Sequence, residues 1–163
     1  MAKVTQRQII AEIIARPEAE NGGHAAVPVF DTYFATVSGG EISASVEKVY
    51  DGNSSFPEVL CAPAEIGDIT VSRFYDNNVA SGDDAAKIGQ LRPLVGQVYY
   101  DLAIYTTDCD LKVAGTERVY PKALLVGLTE PDGDAASGAP ATYSLTFSIS
   151  TVASEGTTSA GAL

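Results

Sequence analysis

ATYSLTFSISTV, residues 141–152, alternates without a break. Tyr143, Leu145, Phe147 and Ile149 point one way, and Thr142, Ser144, Thr146, Ser148 and Ser150 point the other. A period of two over this length predicts a β-strand with one apolar and one polar face. The polar face carries only hydroxyls, where a monomeric sheet ordinarily shows solvent Lys, Glu and Arg. Small hydroxyls suit a wet contact or the lining of a smooth channel, and a plain β surface tolerates them equally well.

The same period recurs on the N-terminal side. Residues 41–50, EISASVEKVY, place Ile42, Ala44, Val46 and Tyr50 opposite Glu41, Ser43, Ser45 and Glu47. Residues 69–75, ITVSRFY, predict a further strand, and 96–106, GQVYYDLAIYT, predict one that is apolar on both faces and so covered on both sides. Another runs over 116–128, bulged at Pro121, which has no N–H for a ladder. Within SGDDAAKIGQLRP, residues 81–93, Ser81 or Asp83 can cap a helix of two to three turns that buries Ile88 and Leu91. Long loops are expected at 51–67 and 129–140.

At the amino terminus, TQRQIIAEIIAR (5–16) sets Ile9, Ile10, Ile13 and Ile14 on one helical stripe. Thr5 and Gln8 stand in capping-box relation there, and Pro17 closes the segment. An extended arm that pins its isoleucines against a neighbouring subunit fits the same residues. EAENGGHAA (18–26) reads as a flexible link. The expected architecture is mainly β: an antiparallel β-sandwich or partly closed barrel with one flanking α-helix. It divides into an N-terminal arm (1–26), a β body (27–153) and a mobile C-terminal tail (154–163).

Composition narrows the function. The 163 residues carry 10 Lys and Arg against 21 Asp and Glu, a net charge of -11. Nucleic-acid binders need clustered cations, as do proteins that adsorb to anionic membranes, so both classes are disfavoured. With 45% apolar and 19% charged residues the chain can bury a core. No stretch has the length of a signal peptide's apolar region or of a membrane span. A chain made in the cytoplasm and remaining there, unless carried out, is the expectation.

Catalytic motifs are wanting. His24, the single histidine, lies in the Gly-rich link, far from any nucleophile pattern. Gly39–Gly40 lacks the spacing of a phosphate-binding loop. Asp83–Asp84, Asp108–Asp110 and Asp132–Asp134 are carboxylate pairs that could serve a hydrolase or chelate calcium. Each pair also sits where Asp ordinarily organises a turn or cap. Cys61 and Cys109 read as two separate small apolar fillers. A calcium-dependent acidic binding module is therefore one alternative class, with Asp132 and Asp134 or Asp108 and Asp110 as ligands.

The order of segments resembles another class. TYFATVSGGEISASVEKVYDG (Thr32–Gly52) looks like the opening of a tail-tube protein of long-tailed bacteriophages, and EIGDITVSRFYD (Glu65–Asp76) resembles the strand that follows its long loop. GTERVYPKALLVGLTEPDGDAASGAPATYSLTFSISTV (Gly115–Val152) is similar to the carboxy-terminal hairpin of major tail proteins. The N-terminal segment and the tail lie outside the pattern.

The resemblance implies a structural protein rather than an enzyme, without cofactor or metal. Six copies would form rings that stack into a hollow tube in the virion tail, after synthesis in the bacterial cytoplasm. Partners would be further copies, other tail proteins at the tube ends, and DNA that passes without specific binding. The tube of a contractile injection system is the near alternative.

Carried onto this chain, Glu41, Ser43, Ser45, Glu47, Thr70 and Ser72 would face the lumen. Asp51, Asn53, Phe56, Pro57, Val59 and Leu60 would belong to the ring-stacking loop. Ile9, Ile10, Ile13 and Ile14 would supply arm contacts. Six copies at -11 each would carry -66, and like charge keeps phosphates from sticking to a bore. Glu41→Lys with Glu47→Lys should leave tubes intact but slow DNA ejection; unchanged infectivity of the double variant would count against an acidic bore.

Overall fold

The computed structural model describes residues 3–24, 27–30, 32–53, 55–76, 83–110, 112 and 117–150. The tail expected from Ser154, and Ser81 as a cap, lie outside these residues. Seven strands come first: β1 (Ile9–Ala15), β2 (Thr36–Gly39), β3 (Ile42–Ser43), β4 (Glu47–Val49), β5 (Glu58–Leu60), β6 (Glu65–Ile66) and β7 (Ile69–Phe74). The helix α1 (Asp84–Leu91) follows, and then β8 (Tyr99–Thr106), β9 (Arg118–Thr129) and β10 (Thr142–Ser148).

Six strands form one sheet in the order β1-β8-β9-β10-β7-β2, every pairing antiparallel. The sheet curls until its edges meet. Ala11 of β1 and Phe34, just ahead of β2, exchange N–H···O bonds of 3.0 and 2.8 Å. This is the partly closed barrel with one flanking helix that the alternation predicts. Its interior is filled by the apolar faces of the strands, among them Val71, Leu102, Leu125, Leu145 and Phe147. Aromatic rings pack edge-on within it, Phe34 on Tyr143 and Tyr100 on Phe147, each with centroids 6.1 Å apart.

The isoleucine-rich segment corrects the helical expectation. β1 pairs with β8 from Ile9↔Thr106 to Ala15↔Tyr100. The spacing of Ile9, Ile10, Ile13 and Ile14 fits either period, and β-branched side chains favour the pleated one. Ala11 and Ile13 enter the core with Ile9 and Ala15 packed beside them, while Ile10 is buried on the opposite face. The Thr5–Gln8 capping box exists, but it caps only a 3₁₀ turn at Gln6–Gln8. The link is also corrected over its described part. Asn21 is buried, donates to the Arg16 carbonyl at 3.2 Å and accepts from the His24 N–H at 3.1 Å.

Residues 41–50 do not form the expected core strand, and every one of them is exposed. They are the outgoing limb of a projecting hairpin. The expected loop at 51–67 is its tip and returning limb. β3 pairs with β6 and β4 with β5. Alternation shows that a strand has two faces, but not that either face is covered. Pro121, by contrast, marks a bulge as expected. Two β9 residues oppose Asp101 of β8, and Asp101 accepts the Lys122 N–H at 3.1 Å and pairs with Arg16.

α1 begins at Asp83, whose side chain accepts from the Ala86 N–H at 3.3 Å, and Ile88 and Leu91 face the core. A polar clasp fastens it to the barrel. The buried Asp84 carboxylate pairs with Arg73 of β7 and accepts from the Tyr143 hydroxyl of β10 at 3.0 Å and the Asp76 N–H at 2.8 Å. Asp84→Ala strands the Arg73 charge in a buried site and should cost about 3–5 kcal/mol, lowering Tm by roughly 10 °C or more. The exposed control Asp132→Ala should stay within about 0.5 kcal/mol in the same urea and thermal denaturation series.

Candidate assembly surfaces

The register of the curled sheet places small hydroxyls in rows on its outer face. Thr36, Ser72, Ser144 and Thr129 face one another across β2, β7, β10 and β9. Ser38, Thr70, Thr146 and Gly127 form the neighbouring row, with the Thr70 and Thr146 hydroxyl oxygens 3.2 Å apart. Neither row contains a charged side chain. Thr70 and Ser72 therefore stand where the alternation puts them, opposite Ile69 and Val71 in the core. Thr36, Ser38 and Thr129 join them through cross-strand pairing that a one-dimensional reading does not supply.

Glu41, Ser43, Ser45 and Glu47 lie elsewhere, on the projecting hairpin. Its root is Gly39, with φ +94°, where a Cβ would meet the Asp68 carbonyl oxygen at 2.0 Å. Only glycine allows the chain to leave the barrel on this path. Beyond it Ile42, Val46, Val49, Tyr50, Phe56, Val59 and Leu60 are all exposed. Asp51, Asn53, Phe56 and Pro57 occupy the tip, and Asp51 accepts the Asn53 N–H at 2.9 Å. Val59 and Leu60 belong to β5 rather than to a loop.

The other candidate groups resolve into local structure. Asp108 accepts the N–H groups of Asp110 and Lys112, both at 2.9 Å, and Asp134 accepts that of Ala136 at 3.0 Å. These are turns built on a carboxylate. Among the described residues no three His, Cys, Asp or Glu side chains are grouped to hold a metal ion, and no helix is long and apolar enough to cross a membrane. Cys61 and Cys109 are exposed free thiols, which corrects their reading as core fillers.

A chain in the cryo-EM structure of the anti-feeding prophage baseplate, six-fold symmetrised, superposes with a TM-score of 0.70 at 15% identity, over 94% of this chain and 95% of that one. A chain of the extended sheath-tube complex of an extracellular contractile injection system, PVC, gives 0.65 at 18% identity, over 93% and 90%. The chain has the injection-system tube fold. A chain of the anti-feeding prophage cap, which terminates that tube, matches at 0.65 and 18%, over 94% and 91%. No family model matches, and no curated protein matches in sequence. The tube fold here is thus visible in the course of the backbone and hardly at all in residue identity.

Three tyrosines of this tube fold hold their protons above the ordinary value of 10.0. Burial is the first cause in each. Tyr100 donates to the Pro28 carbonyl at 3.0 Å, and Tyr105 donates to Glu12 at 2.8 Å beside the charge of Glu117. At Tyr143 the Arg73 charge opposes the rise and the Asp84 charge adds to it. A raised folded-state pKa favours the protonated native form. Its stabilisation is complete below pH 10 and is lost as pH climbs above it. Unfolding free energy measured in urea should therefore stay level with respect to these groups up to about pH 9 and fall above pH 10. Tyr100→Phe should make that alkaline fall shallower.

Proposed function

We propose that this protein is a structural subunit that polymerises into a hollow tube, in a phage tail or a phage-tail-like injection particle. The projecting hairpin carries the reading. Seven large apolar side chains on one thin element form a surface that soluble monomers rarely leave open, and another copy is the natural cover. The tube fold supports the same role, which is mechanical rather than catalytic.

Copies joined side by side, six to a ring, would set the hydroxyl rows of Thr70, Ser72, Ser144 and Thr146 along the bore. Uncharged hydroxyls exchange hydrogen bonds with water readily and offer phosphates no cation. Glu41 and Glu47 at the hairpin would add negative potential at the ring junctions, and Ser43 and Ser45 would continue the polar lining. DNA is the cargo this lining suits in a phage tail, sliding without specific binding. β1 lies at one edge of the sheet, and Ile14, half-buried on the face opposite Ala11 and Ile13, stands ready for contact with a neighbouring subunit, whereas Ile9 packs on the core. The hairpin would reach the next ring, and the two ends of the tube would take other tail proteins.

Negative-stain electron microscopy and light scattering of the purified protein over a wide concentration range test this directly. Rings or stacked hollow tubes are the expected result. Monomers of 16.9 kDa at every concentration would overturn it.

A further inference from the structure

The hairpin and its receptor lie at opposite ends of the same two strands. β2 and β7 pair from Thr36↔Ser72 to Gly39↔Ile69. The hairpin leaves and returns at the Gly39–Ile69 end. At the other end, beyond Thr36 and Ser72, a cavity of about 280 Å³ opens, with Tyr33, Ala35 and Phe74 at its rim and Arg73 and Asp84 beneath. The rim is unusual in being aromatic and open: Tyr33 is 47% exposed and Phe74 64%.

We propose that this cavity is the socket for the hairpin tip of the next copy, with Phe56 as the inserted side chain. The inference rests on the tube reading and adds to it the receptor. Phe56 is 79% exposed at the tip, and a phenyl ring is the kind of anchor that dominates interface energetics. The socket has the matching chemistry. The Arg73 guanidinium already lies over three rings, 5.0 Å from the centroid of Phe34, 5.6 Å from Tyr143 and 5.8 Å from Phe30. The exposed rings of Tyr33 and Phe74 at the rim offer an entering phenyl group the same edge and face contacts.

Charge is balanced there: Asp76 and Asp84 line the socket with Arg73, and Lys87 stands 5.5 Å from the Phe30 ring on the first turn of α1, while Asp51 and Glu58 flank Phe56 on the hairpin. Reach is adequate as well. The outgoing limb from Gly40 to Asn53 spans up to roughly 40 Å at ~3.3 Å per residue, about twice the length of β7. Knob and socket at opposite ends of one molecule make a heterologous contact, which repeats along an axis instead of closing on itself as a two-fold pair.

Cysteine cross-linking tests the pairing. In a Cys61→Ser, Cys109→Ser background, Phe56→Cys is combined with Phe74→Cys and, separately, with Tyr33→Cys. Gln90→Cys on the exposed face of α1 serves as the control position. Mild oxidation followed by non-reducing electrophoresis should give a ladder of dimers, trimers and longer chains for either socket position, and no ladder for the control. Melting curves confirm that each variant is folded.

A product that stops at dimers, or no ladder from both socket positions, overturns the socket. Electron microscopy of the cysteine-free parent reads the tube hypothesis independently. Tubes without a ladder refute only the socket, whereas a parent that forms no tubes refutes the tube reading. Phe56→Ser should raise the critical concentration for assembly at least tenfold without changing Tm, and an unchanged critical concentration would also overturn the socket.

Discussion

The Arg73–Asp84 pair is the contact on which the arrangement of this molecule turns. A carboxylate with no exposed surface is costly unless it is paired and hydrogen-bonded, and three elements meet to supply its partners: β7 through Arg73, β10 through Tyr143 and the chain entering α1 through the Asp76 N–H. The helix is thereby fixed to one end of the barrel, and the aromatic cluster of Phe30, Phe34 and Tyr143 assembles around the same guanidinium. Asp101 does comparable work at the bulge, where it holds Arg16 and the Lys122 N–H. Each clasp includes a link between residues distant in sequence, Tyr143 to Asp84 and Arg16 to Asp101, so each constrains the curl of the sheet as well as a local turn.

Much of the fold was legible in the sequence because burial in a curled sheet imposes a strict period. β10 displayed it without interruption, β8 showed the apolar run of a strand covered on both sides, and Pro121 announced its bulge through its missing N–H. The helix announced itself by an Asp cap and by Ile88 and Leu91. What failed was information that pattern does not hold. Isoleucines at 9, 10, 13 and 14 satisfy a helical stripe and a strand alike, and the partner strand β8 decided between them. The alternation at 41–50 described two faces correctly and said nothing of whether anything lay against them. The hydroxyl rows were half visible. Each strand showed its own Ser and Thr, but only the cross-strand register lined up Thr36, Ser72 and Ser144.

In the proposed assembly the two candidate surfaces would divide the labour by chemistry. The hydroxyl rows are small, neutral and level, which suits passage over a wall. The hairpin is thin and carries seven exposed apolar side chains among its charges, which suits insertion into a partner. Chains that share this backbone are under 20% identical to this one. An assembly role asks for complementarity between copies of the same chain, and that can be kept while nearly every residue changes.

The hairpin is held by two short ladders, β3 with β6 and β4 with β5, separated by residues 44–46 and 61–64. An isolated two-stranded ribbon of this kind is marginal in water. Docking would therefore order it, and the entropic cost of that ordering falls on the first encounters between free copies. Once one end had formed, each incoming subunit would meet a complete receiving surface. Growth of that kind would have the kinetics of crystallisation: a lag before the first stable seed, rapid extension afterwards, and one end that elongates faster than the other.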